Sequence, residues 1–445
     1  MTTLDDEVVG LARDIIRLDT SNAPGNETLV ARHLADYLQE AGVECELVAR
    51  DPDRANLVAR IPGTDPDAES LAFVGHIDVV PVDPRDWTHP PFEAVIDDAG
   101  YLYGRGAIDM KGEVAARAVA MKELARSGWR PRGDLWFLAV ADEEDGMARV
   151  GMNWLLEHRP DIRPHHSVNE GGGEKLELSD GRLIYSVGVG EKGTYPARIT
   201  ALGEAGHGST PTVGDNAVPH LGEVLTRIGR GLPEPVAHPS VDAMLRVLVG
   251  EYDDLADAIA KASALHPELE HLIPAVAGIT MAPTMVGASN KRNVMPSRAW
   301  VELDCRIQPG MTEADVEAAV RARLGEGIAY DLTWPEPLIP GGASPHTGPV
   351  VDAIASFLVA EGVEADLLPS IGTGFTDSAY LRAAAGTAAY GFTPFFTTPL
   401  DVMIAGYHNA DERIHVDDLH ASVRFHLHLA KELLGEDGLD AGGPA

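Results

Sequence analysis

The stretch LAFVGHIDVVPVDPRDWTHPPF, residues 71–92, begins with an apolar run and then presents His76 and, two residues later, Asp78. The apolar run predicts a buried strand. Side chains two apart on an extended strand face the same way. The pair is therefore either an ordinary loop start or an oriented metal ligand, in which Asp78 holds the second ring nitrogen of His76. The rest of the chain decides between these interpretations.

The composition indicates a globular protein with an acidic, well-solvated surface. A chain of 445 residues exceeds the size at which a single core keeps growing, so two domains are expected. The formal net charge of −34 argues against nucleic acid and against anionic membrane surfaces as partners, because both need a basic face.

Three features favour the cytoplasm. The N-terminus MTTLDDEVVG lacks a basic region followed by an apolar run, so no signal peptide is expected. No stretch approaches the roughly 20 apolar residues of a membrane span. The two cysteines, Cys45 and Cys305, are far apart and do not have the spacing of metal ligands, which suits a reducing compartment.

The first half of the chain alternates between helical and extended patterns. This alternation predicts an α/β fold with a mostly parallel sheet. The predicted helices are DDEVVGLARDIIRL, NETLVARHLADYLQEAG and GEVAARAVAMKELARSG, and the predicted strands are VECELVAR, ANLVARI, SLAFVG, DLWFLAVA and HSVN.

Near Gly190 the pattern changes to a two-residue period, in GTYPARITALG and RAWVELDCRIQPG. We expect a smaller α+β domain at residues 194–336, inserted between two parts of the α/β domain at 1–193 and 337–445. The segment Leu232–Ile273 is predicted to be mostly helical. The tail from Gly435 is predicted to be disordered.

Four clusters of acidic or imidazole side chains lie in GHIDVVP, GRGAIDMKG, WFLAVADEEDG and HSVNEGGG. Three of them end predicted strands, and the second precedes a helix. Ligands collect at the carboxyl ends of strands in open α/β sheets, so the clusters are expected to converge. Taken alone, each cluster is explained at least as well by a solvated turn or flexible loop, but that explanation must then hold for all four clusters at once.

Packed carboxylates repel one another unless cations compensate them. A pair of divalent metal ions about 3.5–4 Å apart, bridged by one carboxylate, would do so. Imidazole and carboxylate ligands without thiolate suit zinc, cobalt or manganese, and the residues leave that choice open. The predicted cofactor is therefore a pair of divalent metal ions: zinc, cobalt or manganese.

With GHGSTP and YHNADERI added, these motifs resemble, in order, those of the M20 metallopeptidases, which include carboxypeptidase G2, aminoacylase-1, acetylornithine deacetylase and succinyl-diaminopimelate desuccinylase. The resemblance runs from about Asp5 to Leu434. It implies an amidohydrolase with a lid domain. The implied metal ligands are His76, Asp109, Glu144, Glu170 and His408, with Asp109 bridging the two ions. The implied general base is Glu143, and Asp78 belongs to the catalytic set because it is expected to orient His76.

The resemblance also implies roles for residues of the insert. His207, in GEAGHGSTP, would polarise the scissile carbonyl in the active site of a partner chain, so a homodimer through the lid is expected. Asn293 and Arg306 would contact the substrate and its carboxylate, and an arginine is well suited to bind a carboxylate through two hydrogen bonds. A cis peptide between Asp109 and Met110 is also implied.

One departure from the family leaves the substrate open. Many relatives have a glycine-rich GGTD, whereas this chain has GTGFTDSAY, in which Gly374 remains and Phe375 replaces the last glycine. We expect cleavage of a peptide or N-acyl bond beside a free carboxylate. The alternatives are an acetylornithine- or succinyl-diaminopimelate-type deacylase, a two-metal phosphatase or esterase, and an inactive binding protein on the same scaffold.

Overall fold

The computed structural model describes residues 3–229 and 234–435. Its helices are α1 (Leu4–Ile16), α2 (Thr28–Gln39), α3 (Lys111–Arg126), α4 (Met152–His158), α5 (Ala217–Ile228), α6 (Pro239–Val249), α7 (Leu255–Ser263), α8 (Pro267–Val276), α9 (Glu313–Leu324), α10 (Pro349–Ala360), α11 (Ser378–Ala385), α12 (Leu400–Gly406) and α13 (Val416–Leu434), with a 3₁₀ turn at Pro84–Asp86.

Its strands are β1 (Glu44–Val48), β2 (Asn56–Ile61), β3 (Leu71–His76), β4 (Val95–Ile96), β5 (Tyr101–Tyr103), β6 (Leu135–Val140), β7 (His166–Asn169), β8 (Lys175–Glu177), β9 (Leu183–Glu191), β10 (Gly193–Thr194), β11 (Ala197–Leu202), β12 (Gly206–His207), β13 (Thr280–Gly287), β14 (Val294–Met295), β15 (Arg298–Ile307), β16 (Tyr330–Thr333), β17 (Gly342–Ala343), β18 (Asp366–Gly372), β19 (Ala388–Gly391) and β20 (Arg413–His415).

The chain divides into two compact units. The first comprises residues 1–189, 344–370 and 376–445, and the second comprises residues 190–343 and 371–375. The domain boundaries at 194 and 336 remain a prediction, since a compact unit is not by itself a domain.

The first unit is an α/β structure around a mixed sheet, in which the strand order β1-β2-β6-β3-β7-β19-β9 forms the main path. The strands β6, β3, β7 and β19 are parallel, and the flanking pairs β1–β2, β2–β6 and β19–β9 are antiparallel. The predicted parallel arrangement thus holds for the four central strands, whose βαβ crossovers need helices on the faces of the sheet.

Helix α3 is buried on nearly every side, because it lies between the sheet and helices α1 and α13. A Cβ atom added at Gly75, next to the end of β3, would come within 2.7 Å of Val114 Cγ2. The glycine therefore lets α3 approach the strand closely beside His76. Helix α1 begins with a reciprocal capping box between Thr3 and Asp6, which satisfies two N-terminal amide groups.

The second unit contains an antiparallel sheet with the order β10-β15-β11-β16, and β13 pairs with β15. Helices α5 and α9 cover one face of this sheet, where alternate side chains of β11 and β15 are buried. The predicted helical segment is confirmed from residue 234 onward by α6, α7 and α8. Residues 232 and 233 lie outside the described residues, as does the tail at 436–445 for which disorder is predicted.

No helix in the two described ranges is long and apolar enough to cross a membrane.

Candidate metal centre

The central parallel strands deliver three of the four polar clusters to one edge of the sheet. His76 ends β3, Glu143 and Glu144 follow the end of β6 at Val140, and Glu170 follows the end of β7 at Asn169. Because β6, β3 and β7 are neighbours with the same direction, their carboxyl ends meet. This is the convergence that the sequence predicts.

His76 is an oriented, buried imidazole. Its Nδ1 lies 3.0 Å from the backbone carbonyl oxygen of Asp78, and its Nε2 lies 3.0 Å from Asp109 Oδ1. The Asp78 carboxylate does not hold Nδ1, contrary to the prediction, since its nearest oxygen is 3.6 Å away. The reason is that β3 ends at His76, so strand alternation no longer directs Asp78.

The Asp78 carboxylate instead binds the loop after β6. Its oxygens accept hydrogen bonds from the backbone N–H groups of Glu143, at 3.2 Å, and Glu144, at 3.1 Å. A third donor is the side-chain amide of Asn22, at 2.9 Å. Asp78 therefore positions the imidazole with its carbonyl and the two glutamates with its carboxylate.

Asp109 lies between two imidazoles. Its Oδ1 faces His76, and its Oδ2 lies 3.2 Å from Nε2 of His408. The preceding loop brings the carboxylate there, and the peptide bond between Asp109 and Met110 is cis, as predicted. Each oxygen of one carboxylate thus faces a different histidine, which is the arrangement of a bridging ligand.

Two further glutamates complete the cluster. Glu170 Oε2 lies 3.4 Å from His76 Nε2, and Glu144 Oε2 lies 3.0 Å from His408 Nε2. Donor atoms of His76, Asp109 and Glu144 all lie within 4.8 Å of one another, and so do those of His76, Glu143 and Glu170. The structure therefore brings together all five predicted ligands and the predicted base.

The donor set fits divalent metal ions. Glu144 Oε1 and Glu170 Oε1 are buried and have no hydrogen-bond partner within the described residues. A buried carboxylate oxygen without a partner is costly, and a cation would satisfy it. Imidazole nitrogens and carboxylate oxygens are ligands that zinc accepts readily.

The cluster carries an excess of negative charge. Burial, followed by the charge of Glu170, raises the pKa of Glu143 well above its ordinary value. Burial raises the pKa of Glu144, although a hydrogen bond from His408 opposes this. Hydrogen bonds with Asp109 and Glu144 raise the pKa of His408 to about 10. Burial would raise the pKa of Asp109, but its hydrogen bonds with His408 and His76 hold it below the usual range.

The triple glycine after Glu170 has a packing role. A Cβ at Gly172 would collide with the backbone oxygen of Gly391, and one at Gly173 would collide with that of Thr393. The glycines thus let the loop after β7 lie against the end of β19.

The remaining predicted site residues lie in the second unit. His207 ends β12, which pairs with β14, and the Gly208 N–H donates to the carbonyl oxygen of Asn293. His207 and Asn293 are therefore on adjacent segments. His207 Nδ1 accepts a hydrogen bond from the Ser209 N–H at 3.2 Å, so the ring proton lies on Nε2.

Arg306 lies near the end of β15, and its Nε donates to Asp304 Oδ1 at 2.8 Å. Gly374 lies in the loop after β18, within the short segment 371–375 that belongs to the second unit. The three insert residues and Gly374 thus belong to one unit, and the metal cluster belongs to the other.

Sequence reasoning missed several residues that support the cluster. Asn22 donates to both Asp78 and Asp142, and Arg54 binds Glu27 and Asp142. These residues lie far from the motifs in sequence and have no local signature. Glu412 was also missed, although it lies within YHNADERI.

The family model "Peptidase family M20/M25/M40" matches residues 72–432. A probable succinyl-diaminopimelate desuccinylase from Staphylococcus aureus is 30% identical over 316 residues, covering 69% of this chain and 71% of the relative. Human aminoacylase-1 is 26% identical over 412 residues, covering 92% of this chain and 90% of the relative.

Solved structures share the fold. An M20 family metallo-carboxypeptidase from Sulfolobus solfataricus has a TM-score of 0.71 at 19% identity, covering 97% of this chain and 99% of its own. Human carnosine dipeptidase 1 has a TM-score of 0.67 at 17% identity, and the match covers 97% of this chain and 96% of the dipeptidase chain. A dinuclear metal-binding peptidase from Bacillus subtilis has a TM-score of 0.60 at 14% identity, and the match covers 97% of this chain and 98% of the Bacillus chain.

Proposed function

Because the chain belongs to peptidase family M20 and is a metal-dependent hydrolase of amide bonds, we propose that it uses two divalent metal ions to cleave a peptide or N-acyl bond beside a free carboxylate. The observation that carries this proposal is the position of Asp109, whose two oxygens face His76 and His408 separately. One carboxylate can then serve two ions.

The first ion would be held by His76, Asp109 and Glu170, and the second by Asp109, Glu144 and His408. The contacts of 3.4 Å between His76 and Glu170 and 3.0 Å between His408 and Glu144 support this pairing. We propose zinc as the native metal, with cobalt and manganese as the alternatives that the same donors accept.

When bound, the ions would polarise the scissile carbonyl and make water a stronger acid. Glu143 accepts the proton of the attacking water and passes it to the leaving amine. Its raised pKa suits a group that must both take and return a proton. Asp78 holds the Glu143 backbone and the His76 ring in place.

The second unit supplies the substrate contacts in this proposal. His207 donates from Nε2 to the scissile carbonyl oxygen, which its tautomer permits. Asn293 binds the substrate backbone, Arg306 binds the free carboxylate through two hydrogen bonds, and Gly374 leaves room for the substrate beside Phe375.

We propose a homodimer in which His207 of one chain serves the other chain's active site. The strand β13 supports this assembly: it pairs with β15 on one side, and on its other side no strand of the described residues pairs with it. Met285 and Val286 on β13 are more than half exposed. An open strand edge with apolar side chains favours pairing with a second copy.

We also propose that the enzyme is cytoplasmic. Its two cysteines do not form a disulfide, which suits a reducing compartment.

A second candidate function is removal of a succinyl group from a diamino acid, because the desuccinylase relative is 30% identical to this chain. We favour a dipeptide or N-acyl amino acid, because the match to aminoacylase-1 extends over 92% of this chain, the second unit included. Both reactions break an amide bond beside a carboxylate and use the same centre.

The test is a hydrolysis screen with matched metal analysis. Metal-free enzyme and enzyme reconstituted with zinc, cobalt or manganese are assayed on dipeptides, N-acyl amino acids, N-succinyl diamino acids and phosphate esters. We expect metal-dependent cleavage of the first two classes. Cleavage of the succinyl substrates alone would select the second candidate. Hydrolysis that persists after verified removal of metal would overturn the two-metal mechanism.

A further inference from the structure

A buried glutamate, Glu412, accepts four hydrogen bonds from one loop. Its Oε2 accepts from Arg105 at 2.6 Å and from the Gly106 N–H at 3.0 Å. Its Oε1 accepts from the N–H groups of Ile108, at 2.8 Å, and Asp109, at 2.9 Å. The side chains of Glu412 and Arg105 are 0% and 3% exposed, so water does not substitute for these bonds.

This carboxylate joins the two segments that carry neighbouring metal ligands. Glu412 follows His408 by four residues, in the segment between α12 and β20, and its donors end at Asp109. The Gly104 N–H also donates to the Glu412 carbonyl oxygen at 3.0 Å. These contacts link positions about 300 residues apart in the sequence and fix the distance between the two ligand-bearing segments.

The segment that carries His408 needs such an anchor. His408 and Asp411 both have left-handed backbone conformations, with φ angles of 56° and 57°, which non-glycine residues adopt only when the surroundings enforce them. The His408 side chain is 56% exposed, so little packing holds it. The Asp411 carboxylate accepts two hydrogen bonds from Thr88, one from its N–H at 2.7 Å and one from its hydroxyl at 2.8 Å, and both are exposed to solvent.

We propose that Glu412 is a positioning residue that sets the separation of Asp109 and His408, and thereby the affinity for the second metal ion. This inference rests on the proposed two-metal function. Asp109 serves both ions, but His76 and Glu170, the other two ligands of the first ion, lie on β3 and after β7, away from this anchor. A merely structural Glu412 would instead stabilise the chain without affecting the second ion more than the first.

The principal variant is Glu412→Gln. Its amide oxygen can accept from Ile108 and Asp109, but its NH₂ group then faces Arg105 and the Gly106 N–H, which are also donors. Glu412→Asp keeps the charge but moves the carboxylate back by one methylene. It is the second test variant, to be used if Glu412→Gln does not fold. The matched control is Glu361→Gln, which removes a bidentate pair with Arg424 in the same unit.

The experiment is calorimetric titration of metal-free protein with zinc, together with thermal unfolding of the metal-free proteins. We expect wild type and Glu361→Gln to bind two ions. The Glu412 variants should bind the second ion at least ten-fold more weakly and lose much less affinity for the first, which keeps His76 and Glu170. The zinc concentration that gives half-maximal activity should rise in parallel.

The outcomes separate the two proposals. If wild type binds two ions and a folded Glu412 variant binds both with unchanged affinity, the positioning role is wrong, even when its melting temperature falls. Equal weakening of both ions would also overturn it, since that result indicates a general structural role. If wild type binds fewer than two ions, the two-metal function fails, and this inference fails with it.

Discussion

The side-chain amide of Asn22 donates a hydrogen bond to Asp78 at 2.9 Å, and its other N–H donates to Asp142 at 3.1 Å. All three side chains are at most 5% exposed. One neutral group therefore separates two buried carboxylates that would otherwise repel each other, and it does so directly behind the loop that carries Glu143 and Glu144.

Replacing Asn22 with Asp should destabilise the first unit strongly. The new carboxylate would face two others without a donor between them, at a cost of about 3–5 kcal/mol. Asn22→Ala should cost about 1–3 kcal/mol, since it leaves two buried carboxylates with one fewer partner each. Urea unfolding midpoints measure both. Asn26→Ala in the same loop, where the side chain is exposed, is the control. Equal midpoints for all three variants would contradict the bridging role.

Replacing Glu143 with Gln should abolish proton acceptance without disturbing the metal ligands. We expect near-normal metal content and a fall in kcat by about 10²–10⁴. Metal analysis and steady-state kinetics on the same preparation test this. A variant that lost its metal while keeping its turnover per bound ion would instead make Glu143 a ligand and reverse its assignment with Glu144.

A His207→Ala chain should fold, bind metal and turn over poorly, and it should regain activity when mixed with a Glu143→Gln chain. In a mixed dimer, one site has an intact base and borrows an intact histidine. Random exchange makes half of the dimers mixed, so about a quarter of the sites should work if polarisation by the histidine dominates. If verified subunit exchange restores no activity, His207 does not act across the interface.

Replacing Asp304 with Asn should improve substrate binding. Asp304 accepts from Arg306 at 2.8 Å, so in our proposal it competes with the substrate carboxylate for the same guanidinium. A half-exposed pair of this kind is worth about 0.2–1 kcal/mol, which corresponds to a KM lowered by up to about five-fold. Arg306→Ala should raise KM. A KM that rises in Asp304→Asn would show that Asp304 orients Arg306 and does not compete with the substrate.

The contribution of His426 to the stability of the metal-free enzyme should fall below about pH 6.5. Burial and the charge of Arg117 hold the pKa of His426 well below its ordinary value. Its Nε2 accepts from Arg117 at 3.1 Å, and its Nδ1 lies 2.7 Å from the Ser422 carbonyl oxygen. The unfolded chain binds a proton that the native chain does not, so the stabilisation is complete above the unfolded pKa and declines by about 1.4 kcal/mol per pH unit below it.

Urea unfolding at several pH values tests this in the presence of a chelator, which removes the contribution of metal release. His426→Gln should be less stable at pH 7, and its deficit relative to wild type should shrink toward pH 5. The exposed His158→Gln provides the control. A deficit that stays constant with pH would contradict the assignment to His426.

The sequence is sufficient to predict what depends on local pattern. Buried β3, the polar clusters at the ends of β6 and β7, and the helical part of the insert all follow from periodicity and from where it stops. The orientation of Asp78 was mispredicted because β3 ends at His76, two residues earlier. The sequence also does not predict the antiparallel strands at the edges of the sheet, since strand direction depends on pairing and not on composition.

Hydrogen-bond partners that are far apart in the sequence could not be predicted for a related reason. Glu412 contacts a loop about 300 residues earlier, and Asn22 contacts Asp142 across 120 residues. Glu412 and Asp142 lie within motifs, which suggests that they contribute to the site, but a motif does not identify the group that each one binds. Geometry alone assigns these pairs.

The five proposed metal ligands are synthesised in a fixed order. A ribosome makes His76, Asp109, Glu144 and Glu170 before it begins the second unit, and His408 comes after that unit. At about 5–20 residues per second, the 238 residues from 170 to 408 (408 − 170) occupy roughly 10–50 seconds of translation. Helix α13, which packs on α3, emerges later still. During that interval the growing chain has every proposed ligand of the first ion but lacks His408. In our proposal, the second ion is therefore bound only at the end of synthesis or after release.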